Sequence, residues 1–102
     1  MAKLIALFNP PEDPEAFDAH FRHRHLPLVQ RLPGVRSVEI SWGPVMSPGS
    51  VGAYHRVGIF GFDSIADLQS ALASPQGEAT GADLANFAAA GVTLLVFETE
   101  KL

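Results

Sequence analysis

The hydrophobic positions fall into four short blocks that have the spacing of β-strands. Residues 3–8 and 92–98 are apolar almost throughout, while residues 35–42 and 53–62 mix apolar with polar positions. Val38, Ile40 and Trp42 alternate with Ser37, Glu39 and Ser41 in the second block. Short apolar runs and period-two alternation are typical of strands in a buried sheet. The pattern therefore predicts four strands.

Helical spacing separates the first strand from the second, and the third from the fourth. Over residues 13–32 the apolar positions recur at intervals of four and seven: Phe17, Phe21, Leu28 and Leu32. Asp13 suits the N-cap and Pro14 the first helical position. A second helix is predicted from the cap at Asp63 and Ser64, and a short, loose third helix within the alanine-rich residues 76–90. Residues 43–52, rich in Gly, Pro and Ser, read as a loop.

The predicted order of elements is β-α-β-β-α-β, which is the ferredoxin-like arrangement of an α+β protein. It implies a four-stranded antiparallel sheet with helices on one face, in a single domain spanning residues 1–102. The first and last strands are apolar on both faces, and the helices can cover only one of them. A second copy of the sheet would cover the other, so we expect a homodimer joined through the sheet faces.

Three of the four histidines lie in the first predicted helix, within residues 20–27 (HFRHRHLP). At about 100° per residue, His25 falls on the apolar stripe, whereas His20 and His23 lie outside it. We therefore expect His20 and His23 to be solvated, and no metal site, since the three rings do not share a face. Pro27 lacks an N–H and predicts a kink or bulge beside His25, with Leu26 displaced from the helical region.

His25 has two interpretations that the pattern leaves open. It is either a core histidine satisfied by hydrogen bonds, or a pocket residue that transfers a proton near neutral pH.

Composition narrows the classes of function. The formal net charge is −4, with no basic stripe, which argues against a nucleic-acid partner. There is no cysteine, and no apolar run has the length of a membrane span or a signal peptide. A cytoplasmic protein without a membrane partner is expected. The sequence contains no nucleophile elbow, phosphate-binding loop or carboxylate pair, which disfavours hydrolases and nucleotide-dependent enzymes.

Several segments together resemble the EthD-like proteins of the dimeric α+β barrel superfamily. They are the opening strand 3–9 (KLIALFN), the helix 20–27, the Leu-Pro-Gly at 32–34, and the ADLANF of 82–87 ahead of Gly91. The resemblance implies two ferredoxin-like subunits that form a barrel, each with a pocket between its sheet and its helices. His25 and Pro27 match the family's His-x-Pro signature. Relatives of this fold include isomerases, polyketide cyclases, cofactor-free monooxygenases and heme-degrading enzymes.

Two functions remain in competition. The first is a small cofactor-free enzyme acting on a hydrophobic or aromatic metabolite, with His25 as general acid or base. The substrate-binding candidates are one polar and four aromatic or apolar side chains: His55, Phe8, Trp42, Tyr54 and Phe87. Plain core packing is the alternative for these aromatic residues.

The second function is a non-enzymatic dimer that binds a small ligand or supports an oxygenase or degradation pathway. A second polar group facing His25 across the pocket would distinguish the two. One of Tyr54 and His55 should face the helices. Heme ligation by His25 or His55 is a weaker third option.

Overall fold

The main sheet has four antiparallel strands. The computed structural model describes residues 1–102, except for the side chains of residues 50 and 51. The strands of this sheet are β1 (Ala2–Phe8), β2 (Ser37–Ile40), β5 (Arg56–Phe62) and β6 (Val92–Glu98). They lie in the spatial order β2-β5-β1-β6. The predicted ferredoxin-like βαββαβ order and the α+β class are confirmed.

The strands β2 and β5 are shorter than predicted, and the loop between them is more structured. A two-stranded hairpin of β3 (Met46–Ser47) and β4 (Ser50–Val51) lies within residues 43–52. The central strand β1 ends at Phe8 and is soon followed by Pro10 and Pro11. Proline donates no N–H to a ladder, so the pairing with β5 stops at Arg56. Residues 53–55 are therefore outside the strand.

The first helix is continuous from residue 14 to residue 30 but changes its pitch in the middle. It consists of α1 (Pro14–His20), a π-helical segment (Phe21–His25) and α2 (Leu26–Gln30). The Asp13 side chain accepts a hydrogen bond from the N–H of Ala16 and caps the start. Within the π-helical segment the N–H of Leu26 bonds the carbonyl of Phe21, five residues back. The predicted bulge beside His25 is thus confirmed.

The conformation expected for Leu26 is wrong. Its φ of −58° and ψ of −39° are helical. The helix accommodates Pro27 by widening before it, so the chain does not leave the helical region.

Two further helices follow the third strand of the sheet. α3 (Ile65–Ala73) starts at Ser64, and α4 (Pro75–Phe87) is a regular thirteen-residue helix rather than the short, loose one predicted. Ser74 joins them, because its hydroxyl donates to the carbonyl of Ala71 and accepts from the N–H of Gly77. The short connection folds α4 back on α3, where Gly77 allows close approach of the two backbones.

The core lies between the helices and the inner face of the sheet. It contains Phe8, Phe60 and Phe62 from the strands, with Phe17 and Phe21 from the first helix. The rings of Phe8, Phe17 and Phe21 are packed at centroid distances of 5.4 to 5.8 Å. Burying a large apolar side chain stabilises a fold by about 1.5–3 kcal/mol, so this aromatic cluster holds the first helix against β1.

The outer face of the sheet is apolar and carries no helix. Register places Ile5 between Ile59 of β5 and Leu95 of β6 on this face. Leu95 is 45% exposed, and Phe97 on the same strand is exposed as well. Among the described residues, no helix combines the length and apolar character that crossing a membrane requires.

Candidate functional site

The site is built around a buried carboxylate on α4. Asp83 is 8% exposed, and His25, at the end of the π-helical segment, is 4% exposed. The Nδ1 atom of His25 lies 2.9 Å from Oδ2 of Asp83. An ionised carboxylate only accepts hydrogen bonds, so Nδ1 carries the proton and Nε2 is left with a lone pair. The expected burial of His25 is confirmed. Asp83 is its direct hydrogen-bond partner and not a group facing it across a pocket.

His20 joins the same carboxylate, contrary to the expectation that it is solvated. Its Nε2 atom lies 2.9 Å from Oδ1 of Asp83, and its ring stacks on Phe87. The reason is the π-helical segment, whose hydrogen bonds span five residues and bring positions 20 and 25 onto one side. The angular arithmetic for a regular α-helix placed them apart. His23 is exposed, as predicted. We call His20, His25 and Asp83 the His–Asp–His cluster.

The protonation of the cluster follows from burial and from the sharing of one negative charge. Burial lowers the pKa of His25 below its ordinary value of 6.5, and the neighbouring His20 acts in the same direction, against the attraction of Asp83. Burial alone would raise the pKa of Asp83, but hydrogen bonds from Asn86, His20 and His25 outweigh it and lower that pKa. At neutral pH the cluster thus contains a carboxylate and a neutral His25, which is the form of a general base.

His25 also lines an apolar cavity of about 80 Å³ between the sheet and the helices. Phe8 and Phe60 border it from the sheet, and Leu84 from α4. Leu72 and Leu94 also line it and are themselves exposed, so the cavity reaches the surface. We call it the inner cavity. It offers apolar walls and one titratable side chain.

His20 faces a different space, on the other side of the shared carboxylate. An open groove of about 650 Å³ runs between the start of α1 and the end of α4, lined by His20, Asn86 and Phe87 among others. We call it the outer groove. Asn86 donates to Oδ1 of Asp83 at 3.0 Å, so two residues of the groove, His20 and Asn86, hold the carboxylate. Asp83 thus connects the histidine of the inner cavity to the histidine of the outer groove.

The predicted site residues divide into two groups. Phe8 lines the inner cavity, and the Phe87 ring lies 4.7 Å from that of His25. Trp42, Tyr54 and His55 are elsewhere, beside the start of β5. Of the pair Tyr54 and His55, it is His55 that faces the helices, through a 2.8 Å contact of its Nε2 with Oδ1 of Asp18.

Two charged residues that were not predicted as site residues lie beside the second group. Arg56 donates from Nη2 to Asp18 at 2.9 Å, and its guanidinium lies 4.2 Å from the centre of the Trp42 ring. The guanidinium of Arg22 lies 4.0 Å from the same ring. We call Arg22, Trp42 and Arg56 the Trp42 cluster. It is separate from the His–Asp–His cluster in its contacts.

Asp83 was also missed, although the sequence carried a signal for it. It precedes Phe87 by four residues, so the two share one face of α4. A carboxylate on the buried face of a helix requires partners, which a neighbouring segment rich in histidine can supply. Arg56 has an equivalent signal, since it precedes Phe60 and Phe62 at even spacing and so points to the same side of the sheet. Among the described side chains, no group of three or more possible ligands is arranged to hold a metal ion.

Comparison with known proteins agrees with this architecture. The EthD domain model matches residues 9–91. An uncharacterised 11.0 kDa protein of Rhodococcus erythropolis, from the thcB–thcC intergenic region, is 37% identical over 102 residues, which cover 100% of this chain and 98% of that protein. The chain belongs to the EthD family. The resemblance to the EthD-like proteins of the dimeric α+β barrel superfamily is thereby confirmed.

Solved structures show the same fold. A crystal structure of an EthD family protein from Bacillus halodurans matches with a TM-score of 0.85 and 34% identity, over 98% of this chain and 99% of that one. SnoaB of Streptomyces nogalater, described as a cofactor-independent oxygenase, matches with a TM-score of 0.70 and 16% identity, over 99% and 94% of the two chains. At that identity the second likeness is one of fold.

Proposed function

We propose that this EthD family protein is a cofactor-free acid–base catalyst acting on a small hydrophobic metabolite, with His25 as the proton-transfer residue. The observation that carries the proposal is the 2.9 Å contact between His25 Nδ1 and the buried Asp83 carboxylate, beside an apolar cavity. A carboxylate on one ring nitrogen fixes the tautomer and stabilises the imidazolium that forms when the other nitrogen accepts a proton.

The surroundings of His25 support a base rather than an acid in the resting protein. Its lowered pKa keeps the ring neutral at pH 7, so Nε2 has a lone pair ready to accept a proton. The apolar lining suits a substrate with few polar groups. Phe8 and Phe87 are the proposed contacts for that substrate. The cofactor-independent oxygenase SnoaB shows that this fold supports chemistry without a cofactor.

A non-enzymatic ligand carrier or accessory dimer is the second candidate. One observation favours it: the outer groove, at about 650 Å³, falls in the size range of ligand pockets, whereas the inner cavity is smaller than that range. In this role the His–Asp–His cluster would serve only to hold the first helix and α4 together.

A generic proton-abstraction reporter separates the two candidates. 5-Nitrobenzisoxazole opens to a coloured phenolate when a base removes the C3 proton of its isoxazole ring. The C–H electron pair forms a nitrile as the N–O bond breaks, and no cofactor takes part. We expect the wild-type protein to accelerate this opening, and His25→Leu to lower the rate by about 100-fold or more, since a positioned base contributes roughly 10²–10⁴-fold. Absorbance of the phenolate measures the rate, and the wild-type rate should rise with pH as His25 loses its proton.

The matched control is His23→Leu, which removes an exposed histidine from the same π-helical segment. It should retain the wild-type rate. Equal rates in the wild type and in His25→Leu would contradict a catalytic role for His25 and favour the carrier.

We also propose that the chain, as one domain over residues 1–102, functions as a homodimer joined through the outer faces of its sheets. Ile5, Ile59 and Leu95 form adjacent positions on that face, and the described helices all lie on the other one. An apolar sheet face left in water is unfavourable, and an identical face related by a two-fold axis would cover it.

A further inference from the structure

Arg56 of the Trp42 cluster lines a cavity that the catalytic proposal does not use. This cavity has a volume of about 330 Å³ and lies between the β2–β3 connection and the start of β5. Its walls include Pro10, Pro44, Val45, Tyr54, His55 and Arg56. The volume falls in the range of small-molecule sites, and the walls combine apolar surface with two basic side chains.

Arg56 has a hydrogen-bond donor that the fold leaves unused. Its Nη1 donates to the carbonyl of His55 and its Nη2 to Asp18, but its Nε is buried and has no partner in the described structure. The residue is only 8% exposed. A buried donor without an acceptor destabilises the folded protein, and an acceptor that reaches it removes this cost. The unused N–H belongs to a residue that lines the cavity.

The charge of the Trp42 cluster, whose Arg56 lines the cavity, is positive, although the whole chain is acidic. Asp18 is bonded to both Arg56 and His55, so its single negative charge is already shared. Arg22 lies against Trp42 with no acidic partner among the described side chains. Two arginines against one carboxylate leave an excess of one positive charge, in a chain whose formal net charge is −4.

From these features we infer that the cavity beside Trp42 is a second ligand site, specific for a small organic carboxylate with an apolar body. A carboxylate oxygen supplies the acceptor that Nε of Arg56 lacks, and guanidinium groups bind carboxylates with matching geometry. The apolar part of the ligand packs on Pro44, Val45 and Tyr54. A bare inorganic anion would leave these walls uncovered, so it fits the site less well.

Trp42 provides the measurement, because it is the only tryptophan in the chain and is 53% exposed. Its fluorescence is titrated with cyclohexanecarboxylate, which does not absorb where tryptophan does. The comparison ligands are cyclohexanecarboxamide, of the same shape without the charge, and inorganic phosphate. We expect a saturable change with the carboxylate, at a Kd of about 1 mM or tighter, and none with the other two ligands over the same range.

Three variants identify the residues responsible. Arg56→Gln should abolish the response, with its melting temperature measured to show that it still folds. Arg22→Gln alters an exposed residue, so the fold should be retained. This variant should bind the carboxylate several-fold more weakly, because it removes the excess positive charge. Arg24→Gln, which removes an equally exposed arginine of the same segment outside the Trp42 cluster, should bind like the wild type.

The inference is overturned if the carboxamide or phosphate binds as well as the carboxylate, if none of the three binds, or if Arg22→Gln and Arg24→Gln behave alike. It is independent of the catalytic proposal, since His25→Leu should leave carboxylate binding intact. Arg22→Gln in turn should leave the opening of 5-nitrobenzisoxazole at its wild-type rate. Failure of one proposal is therefore distinguishable from failure of the other.

Discussion

At the scale of single residues, the buried His25 makes the stability of the fold depend on pH. Its pKa is lowered in the folded state, so the unfolded chain binds a proton more readily there than the folded protein does. Stability rises with pH wherever the unfolded state binds more protons. The stability of the fold therefore falls as pH drops below the pKa of His25 in the unfolded chain, near 6.5. The contribution of His25 to this loss ends below its pKa in the folded protein. Asp83 adds a separate loss below its ordinary value of 3.8.

We predict that the melting temperature of the wild type declines as pH is lowered from 6.5, and that His25→Leu removes most of this decline. The slope for one group is at most about 1.4 kcal/mol per pH unit. Calorimetry between pH 7 and pH 5 measures it, a window above the range in which Asp83 titrates. His23→Leu is the control and should retain the wild-type slope. Parallel curves for the wild type and His25→Leu would show that His25 is not the residue responsible.

How far the site could be predicted also depends on single residues. His25 and its burial followed from the apolar stripe, and Pro27 predicted the bulge. The approach of His20 to Asp83 could not be predicted, because it depends on where the helix widens, and the sequence does not state which residues take the π-helical pitch. The place where β5 begins could not be predicted either, because it is set by the end of its partner strand β1. That start decides that Trp42, Tyr54 and His55 lie apart from His25.

At the scale of elements, the order of strands and helices was predictable because each has a clear period or cap. Ser64 and Asp13 mark helix starts, and both caps are present in the structure. The length of α4 was underestimated because Gly77 and Gly81 lower its helix propensity. Packing against α3 and the capping hydroxyl of Ser74 stabilise it, and neither is evident from propensity.

The two glycines of α4 give a matched test of that packing. A Cβ at position 77 would overlap the backbone carbonyl oxygens of Ala71 and Leu72, whereas one at position 81 meets nothing within 4 Å. We predict that Gly77→Ala destabilises the protein by about 1–3 kcal/mol through overpacking. Gly81→Ala should stabilise it by about 0.5–1 kcal/mol through its higher helix propensity. Urea denaturation measures both. Two variants with the same sign would contradict the close contact between α3 and α4.

At the scale of the whole molecule, the apolar outer face of the sheet is left uncovered in the single chain. The prediction is that Leu95→Lys, which places a charge on that face at the edge strand β6, beside Ile5, converts a dimer into a monomer. Light scattering during size exclusion should give about twice the 10.9 kDa chain mass for the wild type and the chain mass for the variant. Met46→Lys alters an exposed apolar residue in the β3–β4 hairpin and should remain dimeric. A monomeric wild type at micromolar concentration would contradict the proposed association.

The π-helical segment fixes the number of residues that must separate His20 from His25. Deleting one residue from the exposed positions 22–24 would return the helix to the regular repeat and improve its hydrogen bonding. Everything before the deletion would then rotate by about 100° relative to His25, and His20 would leave Asp83. The shortened helix would be the more regular one, and the carboxylate would lose one of its two histidines. The extra residue therefore makes the helix locally less regular and lets the side chains of His20 and His25 both reach the charge of Asp83.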